Sequence, residues 1–218
     1  MRIINNCEIN KVKKGTNLVS YLIRRITHSH YLQILMKKLA IVLVGLILFL
    51  SILYFVGPQT SPAMLSPELP TLSTHLTELE KEIIASERAV KGIKPDNEAR
   101  IIWADTTRKE KTAYSIVYLH GFGASWAEGE PVHRNISKRY GANLYLARLE
   151  DAGVDNPDAY EHLTTENFLA SAKRALAIGT ALGDSVILIG TSAGGLLSVY
   201  LAAHHPELKA LILYAPCM

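Results

Sequence analysis

The sequence is 218 residues long, 49% apolar and 20% charged, a balance that suits a globular chain and excludes a disordered or collagen-like one. Its formal net charge of +3 combines two opposed regions. Residues 1–38 carry eight bases (Arg2, Lys11, Lys13, Lys14, Arg24, Arg25, Lys37, Lys38) against Glu8 alone, a net +7, and the other 180 residues net −4. The charge therefore does not describe a basic domain, and no nucleic-acid partner is expected.

Between Lys38 and Glu68 no residue is charged, and residues 39–56 (LAIVLVGLILFLSILYFV) are apolar except for Gly45 and Ser51. Helical residues rise about 1.5 Å each, so this run approaches the ~30 Å of a hydrocarbon core. A buried core helix would be shorter and show a polar face, so 39–56 is read as a transmembrane helix. Lys37 and Lys38 abut its N-terminal end, and residues 57–67 contain no Lys or Arg. The positive-inside rule then leaves 1–38 as a basic cytoplasmic tail and sends the rest outside, to a periplasmic or extracellular space. The competing reading is a cleaved signal peptide starting at Met36, with residues 1–35 an upstream extension. The apolar run exceeds the usual h-region of about 7–15 residues, and Ser61-Pro62-Ala63 is the one small-x-small site, which favours an uncleaved anchor. Cys7 and Cys217 fall on opposite sides of such a membrane, so no intrachain disulfide is expected.

Residues 57–71 (GPQTSPAMLSPELPT) hold four prolines and no periodic pattern, and read as an extended spacer. From 72 to 90, Leu72, Leu76, Leu79, Ile83 and Val90 recur at helical spacing among acidic residues, a helix expected to pack on its own domain rather than on a partner. Strands are predicted at 99–104 and 112–119, joined by a charged turn at 105–111. Then follow a helix at 132–140, a strand at 143–146, a helix at 165–182, a strand at 185–189, a helix at 193–204 and a strand at 210–214. The last two strands are apolar at successive residues, the pattern of strands covered on both faces. Alternating strands and helices predict an α/β domain over 72–218, with a mostly parallel sheet flanked by helices.

In open α/β sheets ligands bind where strands end, so the turns after the strands matter most. After SVILI comes Gly190-Thr191-Ser192-Ala193-Gly194-Gly195, running into an apolar helix. This is G-x-S-x-G in a strand-turn-helix setting. The serine would sit on a sharp turn, Gly190 and Gly194 would supply the lack of bulk such a turn needs, and Gly195 would allow close helix packing. The helix N-terminus beside the serine favours a developing oxyanion. After SIVYL comes a second glycine-rich turn, His120-Gly121-Phe122-Gly123-Ala124-Ser125, of the kind that contributes a further backbone N–H to an oxyanion hole.

With these two turns the sequence resembles the α/β-hydrolase superfamily, in its carboxylesterase and lipase-like branch, over about residues 95–218. The resemblance implies Ser192 as the nucleophile acylated by an ester or acyl substrate, and the Ala193 and Phe122 N–H groups as the oxyanion hole. It further implies Gly121, Gly190, Gly194 and Gly195 as shaping residues, His120 as a brace of its loop rather than the base, and no metal or cofactor. A serine also needs a base and a carboxylate to orient it, which this family carries in the order Ser, acid, His. After Ser192 the sequence offers Glu207, His204 and His205, and twelve residues of helix, about 18 Å, separate the histidines from the serine. The expectation is a fragment of a longer serine hydrolase, lacking the triad acid and histidine and by itself inactive. The alternative is a catalytically inactive relic or binding module on the same fold. Substitution of the acid by Glu128, Asp151 or Asp155, and of the base by His133 or His162, is weighed as a minor route. Glu128, Glu130, His133 and the Glu150-Asp151 pair are read as solvated loop residues.

Overall fold

A computed structural model describes residues 6–57, 63 and 65–217, with side chains described from residue 30 onward. Most of the 57–62 part of the spacer, the Ser61-Pro62 part of the cleavage candidate and the Cys7 side chain lie outside the described residues. The chain divides into two units, residues 1–61 and 62–218.

The first unit is one helix, α1 (Asn6–Val56). It runs far N-terminal of the predicted span because the sequence holds no proline before Pro58, and nothing else in it stops a helix. Its His30–Val56 stretch is long and apolar enough to cross a membrane. Its length and composition are those of a membrane span or of a signal sequence. Ser51 Oγ donates to the Ile47 carbonyl at 2.8 Å, so the one hydroxyl-bearing side chain between residues 39 and 53 is satisfied within the helix.

The second unit is an α/β fold with a mostly parallel five-stranded sheet flanked by helices, as expected. Its elements are α2 (Leu76–Ala89), β1 (Arg100–Ile102), β2 (Thr112–Leu119), a 3-10 turn (Trp126–Gly129), α3 (Val132–Tyr140), β3 (Asn143–Leu146), α4 (Thr165–Leu182), β4 (Gly183–Thr191), α5 (Ser192–His204) and β5 (Ala210–Tyr214). The strand order is β1-β3-β2-β4-β5. β1 runs antiparallel to β3, and all other neighbours are parallel. β1 and β2 are thus not partners although one turn joins them.

Successive side chains of a strand point to opposite faces, and β2 divides the core accordingly. Val117 and Leu119 join Leu79 and Ile83 of α2, Leu169 and Leu176 of α4, and Leu201 of α5. Ile116 and Tyr118 join Leu144, Leu146, Ile187 and Ile189, with Ile136 of α3 packed against them. α4 opens on a capping box between Thr164 and Asn167, which satisfies two otherwise unpaired N–H groups. α3 closes on Gly141 at φ +55°, and the chain turns directly into β3.

The expected cover of the last two strands on both faces holds for β4 and not for β5. β4 is buried through Val186–Gly190, but β5 lies at the sheet edge and its residues are half-buried or exposed. Leu196 and Val199 of α5 are likewise exposed. The continuous apolar pattern of β5 therefore does not mean cover on both faces among the described residues.

Candidate active site

β4 ends at Thr191 and α5 begins at Ser192 with no residue between them. A strand can pass into a helix so abruptly only through an unusual backbone angle, and Ser192 takes it, with φ +50°. Left-handed φ in a residue with a Cβ costs roughly 1–2 kcal/mol, and surrounding packing has to hold it. That packing is tight. A Cβ on Gly194 would lie 2.2 Å from the Leu119 carbonyl oxygen and 2.5 Å from that of His120. One on Gly190 would lie 2.6 Å from the Gly194 carbonyl oxygen, and one on Gly195 would lie 2.9 Å from Pro216 Cβ. The end of β2, the end of β4 and the first turn of α5 meet with backbone against backbone.

Thr191, the N-cap of α5, makes no side-chain cap hydrogen bond. The first N–H groups of α5, Ala193 among them, have no carbonyl one turn earlier in the helix to bond. They leave a partly positive, donor-rich end beside the Ser192 hydroxyl.

The turn after β2 abuts this one. A Cβ on Gly121 would lie 3.3 Å from Ser192 Cβ. The Ala124 N–H donates to the Gly121 carbonyl at 3.1 Å, and Gly123 sits at φ +69°, so Phe122 occupies the tip of a tight turn. Phe122 is 57% exposed, and its ring lies against that of Tyr160, tilted, at 4.7 Å between centroids, with Phe168 at 6.3 Å. His120 is buried. Its Nε2 accepts the Leu149 N–H at 3.0 Å, which leaves the proton on Nδ1 to donate to the Gly121 carbonyl at 2.8 Å. Burial pushes the His120 pKa down, so the ring is neutral and ties the turn after β2 to the segment after β3.

Glu128 is exposed, as expected of a loop residue, but its carboxylate is also tied to the site. One oxygen of its carboxylate accepts the Gly121 N–H at 2.7 Å and the Tyr118 hydroxyl at 3.2 Å. The Tyr118 hydroxyl also lies 3.0 Å from Thr191 Oγ1. Burial first, and then the Glu128 charge, push the Tyr118 hydroxyl above its ordinary pKa. His133 is a correction: it lies in α3, fully buried, with its ring 4.8 Å from that of Tyr118 and Nε2 2.9 Å from the Trp126 carbonyl. Burial lowers its pKa as well. Glu130 pairs with Arg134 one turn along. Glu150 is exposed, as expected, with its pKa raised by partial desolvation and by Asp151.

Among the described residues the side-chain partner of Ser192 is not a histidine. Its Oγ lies 3.3 Å from Cys217 Sγ, and the Cys217 N–H donates to the Ser192 carbonyl at 3.2 Å. His204 bonds the Tyr200 carbonyl, and His205 bonds Glu207 and the Pro67 carbonyl, all at the far end of α5. Among the described residues no group of three His, Cys, Asp or Glu side chains is arranged to hold a metal ion. Sequence reasoning brought the Ser192 and Phe122 turns together, but it missed the parts of Tyr118, Thr191 and Cys217. Nothing in the pattern brings these residues together: Tyr118 meets Thr191 only because β2 and β4 are neighbours in the sheet, and Cys217 meets Ser192 only through the turn after β5.

No family model matches the chain, and no curated protein matches it. Among solved structures it is similar to one of the metagenome-derived lipolytic enzymes LipS and LipT, at 20% identity and TM-score 0.47, covering 56% of this chain and 46% of that one. It is similar to Est1E of Butyrivibrio proteoclasticus with ferulic acid bound, at 20% identity and TM-score 0.42, covering 56% and 51%. Brefeldin A esterase, a bacterial homologue of human hormone sensitive lipase, aligns at 15% identity and TM-score 0.28, covering 75% and 55%. The chain thus aligns to about half the length of these structures. Likeness at this level does not carry chemistry from one protein to another.

Proposed function

We propose that this chain carries the nucleophile half of a serine hydrolase of esterase or lipase type, anchored in a membrane by residues 39–56 with its catalytic domain outside. In this reading Ser192 attacks the carbonyl of an ester or acyl substrate, and the Phe122 and Ala193 N–H groups receive the oxyanion. The supporting observation is Ser192 itself. It is a non-glycine residue at φ +50° on the turn between a buried parallel strand and an uncapped helix N-terminus, and strain at such a point is retained where it aims a reacting group. A serine hydroxyl needs a base, and no histidine is bonded to Ser192 among the described residues. The reading therefore takes the base and its carboxylate from outside them, and turnover belongs to the whole protein.

The Cys217 contact favours a second reading, in which the half-site binds acyl ligands without turning them over. Hydrolysis of p-nitrophenyl acetate, assayed on a protein that includes the base and its carboxylate, separates the two. Turnover that disappears in Ser192→Ala supports the hydrolase. Equal rates for the two proteins, both folded, defeat it.

A further inference from the structure

We propose that Glu128 is a positioning residue, whose carboxylate clamps the Phe122 turn to the Ser192 turn and so sets the spacing between the two halves of the oxyanion hole. The inference rests on the serine hydrolase reading for its catalytic consequence, and on the geometry alone for the clamp.

The two turns belong to different strands and are not covalently close, since 70 residues separate Phe122 from Ser192. Backbone pairing between β2 and β4 holds them in register as far as Leu119 opposite Gly190. Beyond that pair β2 has ended, and backbone packing at Gly194 and side-chain hydrogen bonds hold the two turns together. One oxygen of Glu128 collects the Gly121 N–H at 2.7 Å and the Tyr118 hydroxyl at 3.2 Å. With the tyrosine proton directed to the carboxylate, the Thr191 hydroxyl is left to donate to the tyrosine oxygen at 3.0 Å. The result is a chain of three hydrogen bonds from the residue before Phe122 to the residue before Ser192. Bonds in series polarise one another, and those to an ionised acceptor are the stronger kind.

The local sequence is cut to fit this chain. Gly121 has no side chain where the carboxylate sits: a Cβ there would be 2.9 Å from Glu128 Oε1 and 3.3 Å from Ser192 Cβ. Gly129 has none where its turn rests on the tyrosine ring, since a Cβ there would lie 2.6 Å from Tyr118 Cζ and 2.6 Å from His133 Cδ2. Bare backbone at both places lets the short Trp126–Gly129 turn lie against the Tyr118 ring and bring Glu128 to its hydroxyl. Tyr118 cannot step aside, because it is wholly buried between β3 and β4 neighbours. The same carboxylate brings negative charge close to a developing oxyanion. A purely electrostatic design would not place it there, but a clamp that needs a strong acceptor would.

The test uses the full 218-residue chain in detergent, with three variants. Glu128→Ala removes the acceptor, Glu128→Gln keeps an amide oxygen able to accept both bonds, and Tyr118→Phe cuts the link to Thr191 while leaving Gly121 bonded. Hydrogen exchange of a peptide covering 119–125 reads the clamp. Phosphonylation of Ser192 by a fluorophosphonate, resolved into the binding constant and the maximal rate, reads its consequence. Misplacement by about 1 Å is worth on the order of 100-fold in rate. Glu128→Ala and Tyr118→Phe are therefore expected to lower the maximal rate roughly 10- to 100-fold with the binding constant unchanged, and Glu128→Ala to speed exchange. Glu128→Gln is expected to stay within about threefold of the parent in both readouts. Unchanged exchange and rate in Glu128→Ala would overturn the clamp, as would a Glu128→Gln loss as large as that of Glu128→Ala. If the folded parent is not labelled at all, the hydrolase reading fails, and the exchange data alone still decide whether Glu128 holds the turn.

Discussion

Replacing Gly194 by alanine puts the packing of the serine turn to a quantitative test. The added Cβ would stand 2.2 Å from the Leu119 oxygen, 2.5 Å from the His120 oxygen and 2.6 Å from the Leu119 carbonyl carbon. All three are backbone atoms at the end of a strand hydrogen-bonded to β4, so no side chain can rotate away. Ordinary contact requires the start of α5 to withdraw by roughly 1 Å. Overpacking of this kind costs about 3 kcal/mol, which for a domain of this size lowers Tm by roughly 6–12 °C. Gly141→Ala is the control for backbone angle. That glycine sits at φ +55° with nothing within 4 Å of its Cβ position, so the cost is conformational alone, about 1 kcal/mol and a few degrees. Thermal unfolding followed by tryptophan fluorescence suits the comparison, since Trp103 and Trp126 both lie in the second unit. A Gly194→Ala Tm within about 2 °C of the parent, or a larger loss in Gly141→Ala, would refute the steric account.

Glu87 and Arg148 form an ion pair at 2.7 Å with side chains 7% and 10% exposed, and Glu87 also accepts the Ala99 N–H at 3.0 Å. Glu87→Ala strands both partners and is expected to cost about 3–5 kcal/mol in chemical denaturation; a loss below 1 kcal/mol would contradict it. The pH dependence of stability follows from His120 and His133, both held neutral by burial with pKa values below the ordinary one. Below about pH 6.5 the unfolded chain binds protons that the folded chain refuses. Stability should therefore fall as pH drops through that value, by up to roughly 1.4 kcal/mol per unit for each histidine, and level off above it. His133→Leu should remove about half of that slope, and an unchanged slope would mean that another group is responsible.

Much of this architecture is legible in the residues. The bounds of β2, α3, β3, α4 and β5 coincide with those expected, because periodic apolar runs there are bracketed by turn formers such as Gly141 and the Thr164 cap. The strand order is not legible: antiparallel pairing of β1 with β3 depends on which edge is open, not on any local pattern. The same holds for β5, whose apolar run does not reveal that it stands at a sheet edge, and for α1, where only the absence of a breaker signalled the long N-terminal extension. At the candidate site, the glycines around Ser192 answer contacts that a strand-turn-helix string already implies. The bonds of Glu128 to Gly121 and Tyr118 arise from the fold of a short irregular turn, and no spacing rule leads to them.

The proposal to be decided is that Ser192 is a nucleophile placed beside an oxyanion hole. Prolonged exposure of the folded chain to a fluorophosphonate, followed by mass-spectrometric mapping of the adduct, tests it most directly. Even without a base, a preorganised hole retains part of the rate enhancement of a complete triad. The account predicts an adduct on Ser192 and on no other serine, abolished in Ser192→Ala. A folded protein left unmodified at Ser192, or modified there no faster than at its other serines, would contradict it.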